Sequence, residues 1–108
     1  MPPPVPAKQL AVVACMDARV NVERILGLDE GDAHVIRNAG ALVTDDVRRS
    51  LETSQSLGTE EVVLLLHTDC GARGGNLDAA AREAAAEIGG RVRALIYDVD
   101  TDELREVA

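Results

Sequence analysis

Two uninterrupted apolar runs constrain the fold of this 108-residue chain more than any other feature of its sequence. The runs Leu10–Cys15 and Val62–Leu66 have the length of a strand and show no alternation of polar and apolar residues. Runs of this kind are typical of strands that are covered on both faces, as in parallel sheets flanked by helices. The sequence therefore predicts a parallel sheet with helices on both sides.

Capping residues and glycines divide the chain into alternating strands and helices. Asn21, Thr44 and Asn76 are placed to cap helices, and glycines follow the ends of all three. The predicted helices cover 22–26, 45–57 and about 77–88, and the predicted strands cover 10–15, 33–37, 61–67 and 92–99. We predict a doubly wound α/β domain with a mostly parallel sheet of about four strands, flanking helices and an antiparallel closing strand over 103–107.

The first residues differ in composition from the rest. All four prolines lie within positions 1–6, and proline has no backbone N–H to donate to a strand ladder. We predict a proline-rich arm over 1–7 and a single domain over 8–108.

The predicted core is small, because a chain of this length buries only about two thirds of the surface that its unfolded form exposes. The sequence has no Phe and no Trp, and Tyr97 is its only aromatic residue. The interior must therefore consist of Ala, Val, Leu and Ile, which bury less area per residue than aromatic rings do. We expect a homodimer or a larger homo-oligomer, since an interface would bury more apolar surface.

Charge and hydropathy argue against two classes of partner. The formal net charge is −8, and the 11 Lys and Arg residues form no basic run, so neither nucleic acid nor an anionic membrane surface is expected as a partner. No apolar stretch approaches the length of about 18 residues that a membrane span needs, and no signal peptide is evident. We predict a cytoplasmic location.

Cysteine and histidine are scarce, yet three of these residues lie in two short motifs. Cys15 ends the first apolar run, and His67 and Cys70 follow the second. Doubly wound sheets bind small molecules and ions in a crevice beyond the carboxyl ends of their strands. Because all three residues end or follow a predicted strand, we expect their side chains in one such crevice. Two thiolates and an imidazole favour zinc and leave its fourth position open. We predict a Zn²⁺ site; the alternative is a small buried cysteine and an ordinary core histidine.

The fourth zinc ligand is either a water molecule or Asp17, which lies two residues beyond Cys15. Arg19 lies two residues further on and can hold the Asp17 carboxylate with a guanidinium. A carboxylate held in this way beside a zinc-bound water can accept its hydrogen bond, while the metal lowers the pKa of that water toward about 7. The alternative is an ordinary loop ion pair that contributes at most about 1 kcal/mol.

Taken together, three motifs resemble the β-class carbonic anhydrases, in a shortened form of the small prokaryotic branch. The motifs are Cys15-x-Asp17-x-Arg19, Val35–Gly40 and His67-x-x-Cys70-Gly71. The resemblance implies that Cys15, His67 and Cys70 hold zinc and that its hydroxide converts carbon dioxide to bicarbonate. It also implies that Asp17 either occupies the fourth position or, when paired with Arg19, releases it, and that the Gly71 amide binds a substrate oxygen.

Residues 72–90 replace a longer helical section of the family, which predicts a metal site more open to water.

Two further functions remain open from the sequence. A related hydrolase on the same scaffold would act on carbon disulfide or carbonyl sulfide. A non-catalytic zinc-binding or assembly module would keep Asp17 on the metal permanently. A thiol phosphatase is not favoured, because Cys15 and Arg19 are too close together for a phosphate-binding loop and no Gly-rich loop follows the first strand.

Overall fold

The computed structural model describes residues 5–108, and strands alternate with helices along most of that length. In chain order the elements are β1 (Leu10–Cys15), α1 (Val22–Leu26), β2 (Ala33–Asn38), α2 (Asp45–Ser56), β3 (Glu61–His67), α3 (Leu77–Ile88), β4 (Val92–Asp98) and β5 (Glu103–Glu106). The predicted α/β class is confirmed. No element end differs from the predicted one by more than one residue.

A single sheet with the strand order β2-β1-β3-β4-β5 forms the centre of the domain. The first four strands pair in parallel, and β5 pairs antiparallel to β4, as the closing strand was predicted to do. The chain proceeds from β1 to β2 on one side and then returns to β3 on the other side of β1. The strand order therefore reverses at β1, and this is the switch point at which doubly wound sheets bind their ligands.

The apolar runs are buried on both faces of the sheet, as predicted. Val13 and Leu64 belong to the cluster that also contains buried residues of α2 and α3. Val12 and Leu65 belong to the cluster on the opposite face, against which residues of α1 pack. All four side chains have no exposed surface. Neither run alternates because consecutive side chains enter different apolar layers.

The three predicted helix caps are present. The side-chain oxygens of Asn21, Thr44 and Asn76 accept hydrogen bonds from the backbone N–H three residues later, at 3.0, 3.2 and 3.1 Å. These bonds satisfy N–H groups that have no partner inside the helix. The first helix ends at Gly27, whose φ of 66° lies in the left-handed region that glycine tolerates.

The predicted N-terminal arm lies partly outside the described residues. Pro6 is buried, and the N–H groups of Ala7 and Lys8 donate to the carbonyl oxygens of Gly31 and Asp32 at 2.9 and 3.0 Å. The boundary between arm and domain stays a prediction. Within residues 5–108, no helix is long and apolar enough to cross a membrane.

Candidate metal centre

Parallel pairing places the ends of β1 and β3 side by side. Ala14 is in register with Leu65, so Cys15 and His67 both follow at the carboxyl edge of the sheet. Cys70 returns to the same place from the loop after β3, and its Sγ lies 3.8 Å from that of Cys15. The ligand atoms of Cys15, His67 and Cys70 all lie within 4.8 Å of one another. The structure thus brings together the three residues that the sequence analysis selected.

The His67 ring is held in an orientation that suits a metal ligand. Its Nδ1 lies 2.7 Å from the carbonyl oxygen of Thr68, which can only accept, so Nδ1 carries the proton and donates it. Nε2 is then left with its lone pair. The side chain is buried, and Nε2 has no hydrogen-bond partner among the residues described. A buried acceptor without a partner costs free energy unless something binds it, and a metal ion would satisfy it.

The Cys15 thiol ionises more readily than an ordinary thiol. Burial by itself raises its pKa, but hydrogen bonds from its surroundings, chiefly from the backbone amides of Asp17 and Gly40, lower it to about 7. The Gly40 N–H donates to Cys15 Sγ at 3.3 Å in a buried position. Because metals bind the thiolate rather than the thiol, this environment favours metal binding at neutral pH.

Asp17 and Arg19 form a paired carboxylate and guanidinium next to the cluster. Arg19 donates to Asp17 Oδ1 from Nε at 3.0 Å and to Oδ2 from Nη2 at 2.8 Å. These hydrogen bonds hold the pKa of the Asp17 carboxyl well below its usual range. Asp17 Oδ2 also lies 3.9 Å from His67 Nε2. The ion pair of Asp17 and Arg19 therefore lies next to the candidate ligand atoms of the cluster.

Arg19 also joins the two loops that carry the cluster. Its Nη1 donates to Asp69 Oδ2 at 3.1 Å, and its Nη2 donates to the Asp69 carbonyl oxygen at 3.0 Å. Asp69 lies directly before Cys70 and has a left-handed φ of 52°. A single guanidinium thus fixes the position of the Cys70 loop relative to Asp17. The sequence analysis did not identify Asp69 as a partner.

A second arginine, Arg37, holds the loop between β1 and α1. The sequence analysis did not identify this role. Arg37 on β2 donates from Nε to the carbonyl oxygen of Cys15 at 2.9 Å. Its Nη2 donates to the carbonyl oxygens of Asp17 and Val20, each at 2.9 Å. Arg37 lies within the predicted Val35–Gly40 motif, but its contacts are 17–22 residues distant in sequence. No periodicity of the sequence indicates such contacts.

An open pocket of about 280 Å³ lies beside the cluster. Its lining consists of Cys15, Met16, Asp17, Ala39, Cys70, Gly71 and Ala72. Ala39 belongs to the Val35–Gly40 motif of the sequence analysis, and Gly71 is exposed. Most of the lining is small and apolar, so the pocket suits a small uncharged molecule near a polar edge.

The fold and the cluster define an α/β domain with a Cys₂His group of metal-ligand type at the carboxyl edge of a parallel sheet. A sequence model described as carbonic anhydrase matches residues 10–106. Residues 10–106 include every element of the fold. The chain belongs to the β-carbonic anhydrase family.

Individual relatives agree with this assignment. Beta-carbonic anhydrase 1 of Mycobacterium bovis is 67% identical over 67 residues, which span 61% of this chain and 41% of that protein. A carbon disulfide hydrolase of Acidianus sp. is 49% identical over 65 residues, spanning 59% of this chain and 32% of that protein. The carbonic anhydrase structure from Streptococcus mutans superposes with a TM-score of 0.92 at 38% identity, covering 98% of this chain and 85% of that one. The matched region is thus less than half of either curated relative.

The environment of Cys15 predicts an unusual pH dependence of alkylation. In the metal-free protein, alkylation of Cys15 by iodoacetamide should become half-maximal near pH 7, because only the thiolate reacts and its pKa is lowered to that value. Mass spectrometry of the Cys15 peptide, with rates normalised to the high-pH limit, measures this midpoint. Protein unfolded in urea is the control, and its Cys15 peptide should show a midpoint at about pH 8.5. Equal midpoints in folded and unfolded protein would contradict the description of the site.

Proposed function

We propose that this chain is a zinc-dependent carbonic anhydrase that interconverts carbon dioxide and bicarbonate. The observation that carries the proposal is the position of the Asp17–Arg19 pair against the Cys15, His67 and Cys70 ligand atoms, beside a small apolar pocket. Family membership supports the same reaction. Metal ligands alone would also fit a structural site, whereas a held carboxylate and a pocket are what a reaction needs.

The residues present fit a zinc ion, with Cys15 Sγ, Cys70 Sγ and His67 Nε2 as its ligands. The partnerless buried Nε2 and the lowered pKa of Cys15 both favour a cation at this point. Thiolate and imidazole ligands prefer zinc to magnesium or calcium. When bound, zinc would supply a water molecule of lowered pKa as the nucleophile for carbon dioxide.

Asp17 is proposed to orient this nucleophile. Its carboxyl pKa is held low by Arg19, so the carboxylate stays ionised and can accept a hydrogen bond at any pH near neutrality. The two side-chain hydrogen bonds from Arg19 engage both carboxylate oxygens and fix their direction. Without its hydrogen bonds to Arg19, the Asp17 carboxylate would be close enough to His67 Nε2 to bind the metal at its fourth position and exclude the nucleophile.

The pocket is proposed to bind carbon dioxide mainly through apolar contact. Met16, Ala39 and Ala72 line it and carry no polar side-chain group that could compete for the linear substrate. Gly71 also lines the pocket, and its backbone N–H is proposed to donate to a substrate oxygen. A backbone donor of this kind stabilises negative charge that develops on oxygen during attack.

A carbon disulfide hydrolase is the second candidate for the same site. Relatives bearing that name match this chain at 45–52% identity over 65–76 residues. The chemistry is related, because carbon disulfide and carbonyl sulfide also present an electrophilic carbon between two double bonds. Assays of carbon dioxide, carbonyl sulfide and carbon disulfide on one preparation discriminate between the two functions.

We further propose that the chain forms a homodimer or a larger homo-oligomer in the cytoplasm. Among the strands of residues 5–108, β2 pairs with β1 alone, so its other edge offers N–H and C=O groups to a second chain. Val35 on this strand is 37% exposed, which adds apolar surface at the same edge. A cytoplasmic location fits the chemistry, since the cytosol keeps metal-binding thiols reduced.

The central test is metal content together with turnover. The purified protein should contain about one zinc per chain by elemental analysis and should hydrate carbon dioxide in stopped-flow assays. The rate should rise with pH through a transition that belongs to the coupled site. Cys70→Ser should lose both zinc and activity, because it removes a thiolate ligand. A protein that holds zinc but shows no hydration at any pH would instead support the non-catalytic module.

The proposed roles of Asp17 and Arg19 predict that substitutions of these residues lower the activity without removing the zinc. Asp17→Asn should retain zinc and lose about 10- to 100-fold in kcat. Arg19→Ala should lower kcat while zinc affinity stays equal or increases, because the freed Asp17 carboxylate can bind the metal. Arg49→Ala, which removes a surface ion pair with Asp46 on α2, is the matched control and should match the parent. An Asp17→Asn variant as active as the parent would refute this mechanism.

The oligomer proposal predicts a mass above that of one chain. Light scattering at micromolar concentration should give at least twice the 11.4 kDa of one chain. Val35→Lys should shift the equilibrium toward the monomer, because it places a charge at the β2 edge. A monomeric parent with an intact fold would contradict the proposal.

A further inference from the structure

The turn after β2 supplies the backbone group that contacts the Cys15 sulfur. The buried Gly40 N–H donates to Cys15 Sγ at 3.3 Å. Gly40 and Ala41 have left-handed φ values of 86° and 52° in succession. Such a backbone is costly for a non-glycine residue and persists only when its surroundings hold it. The direction of the Gly40 N–H therefore depends on what holds this turn.

Two side chains hold the turn, one at the end of β2 and one in the loop after β3. Asn38 spans it from within, accepting from the Leu42 N–H at 3.0 Å and donating to the Leu42 carbonyl at 2.9 Å. Arg73 reaches it from the loop after β3. Its Nε donates to the Gly40 carbonyl oxygen, and its Nη2 donates to the Ala41 carbonyl oxygen at 3.2 Å.

The contact between Arg73 and the turn is close as well as polar. A Cβ placed on Gly40 would lie 3.3 Å from Arg73 Cγ and 3.3 Å from the Ala72 side chain. The stem of Arg73 therefore packs against the Gly40 backbone while its planar head binds two consecutive carbonyl groups. Lysine would keep the charge but lacks the two fixed N–H directions that this contact uses.

Arg73 is also tied to the second cysteine. The Arg73 N–H donates to the Cys70 carbonyl oxygen at 3.3 Å, which closes a turn from Cys70 to Arg73. The side chain then extends to the turn that contacts Cys15. Arg73 thus connects the backbone around Cys70 to the turn whose Gly40 N–H donates to Cys15. It lies outside all three motifs that define the resemblance to the family.

We propose that Arg73 is a positioning residue, which fixes the 40–41 turn so that the Gly40 N–H points at Cys15 Sγ and thereby sets the affinity of the cluster for its metal. The part concerning metal affinity rests on the zinc binding proposed above. Hydrogen bonds to ligand atoms orient the ligand and adjust its electron donation, and their loss typically costs about 10- to 100-fold in metal affinity. The geometry of the turn itself does not depend on the metal.

Arg73→Gln and Arg73→Lys test the proposal against Arg91→Gln. Arg91 pairs with Glu60 and Glu61 next to the amino ends of β3 and β4, so its substitution removes an equal charge at the opposite end of the sheet. The first measurement is hydrogen exchange of the Gly40 amide by NMR in metal-free protein. The second is the zinc dissociation constant by chelator competition. The third is the sulfur-to-metal charge-transfer band of the cobalt-substituted protein.

Both Arg73 variants should exchange the Gly40 amide faster than the parent and bind zinc about 10-fold more weakly. Their cobalt band should move to longer wavelength, because a sulfur without its hydrogen bond is a better electron donor. Arg91→Gln should match the parent in all three measurements. Either Arg73 variant would overturn the proposal if it kept both the Gly40 amide exchange rate and the zinc affinity of the parent.

The two proposals fail in different ways. A parent protein that binds no zinc would refute the proposed function, and the Gly40 exchange rates in metal-free protein would still decide the role of Arg73. A parent that binds zinc, with Arg73 variants that bind it equally well, would refute only the role of Arg73. Should Arg73→Gln fail to fold, the charge-conserving Arg73→Lys carries the comparison.

Discussion

The parallel pairing of β1 with β3 is the constraint on which the site depends. Neighbouring strands lie about 4.8 Å apart, and a strand inserted between them would separate their ends by about 10 Å. Zinc bonds to sulfur and nitrogen are about 2.0–2.3 Å long, so the ligand atoms of one ion must lie close together. Direct pairing, with Ala14 opposite Leu65, lets the Cys15 and His67 side chains meet. The apolar layers on both faces of the sheet hold that pairing in place.

Arginine hydrogen bonds to backbone carbonyl groups then shape the loops at this edge. Loop carbonyls lack the partners that a strand ladder provides, and buried or half-buried ones must find others. Arg37 binds three carbonyls of the first loop, Arg19 binds that of Asp69, and Arg73 binds two in the turn after β2. Each arginine connects segments that are distant in sequence. The protein itself thus fixes the ligand loops, which is what preorganisation of a metal site requires.

The sequence predicted the parts of the structure that have a local signal. The apolar runs, the helix caps at Asn21 and Asn76, and the placement of Cys15 beside His67 follow from residue patterns and the general rule for doubly wound sheets. These features depend on neighbours in the chain or on the fold class. Residue patterns alone therefore indicate them.

Contacts between distant loops could not be predicted in this way. Arg37, Arg73 and Asp69 each act through partners that no spacing or periodicity indicates. Strand β2 extends to Asn38, although asparagine is uncommon in strands, because Asn38 pairs with Cys15 in the ladder. Tertiary pairing overrides the local preference there. The proposed positioning role of Arg73 belongs to this second class.

The most direct test of the account is X-ray absorption spectroscopy at the zinc edge of the purified protein. We expect a first shell with two sulfur atoms at about 2.3 Å and lighter nitrogen or oxygen neighbours at about 2.0–2.1 Å. In Cys70→Ser, which should not keep zinc through purification, the sulfur contribution should be smaller once the variant is reloaded with excess zinc. That result would place Cys70, a second sulfur atom and at least one nitrogen or oxygen ligand around one ion. A shell of nitrogen and oxygen alone, or one unchanged by Cys70→Ser, would contradict the claim that the adjacent ends of β1 and β3 build the metal centre.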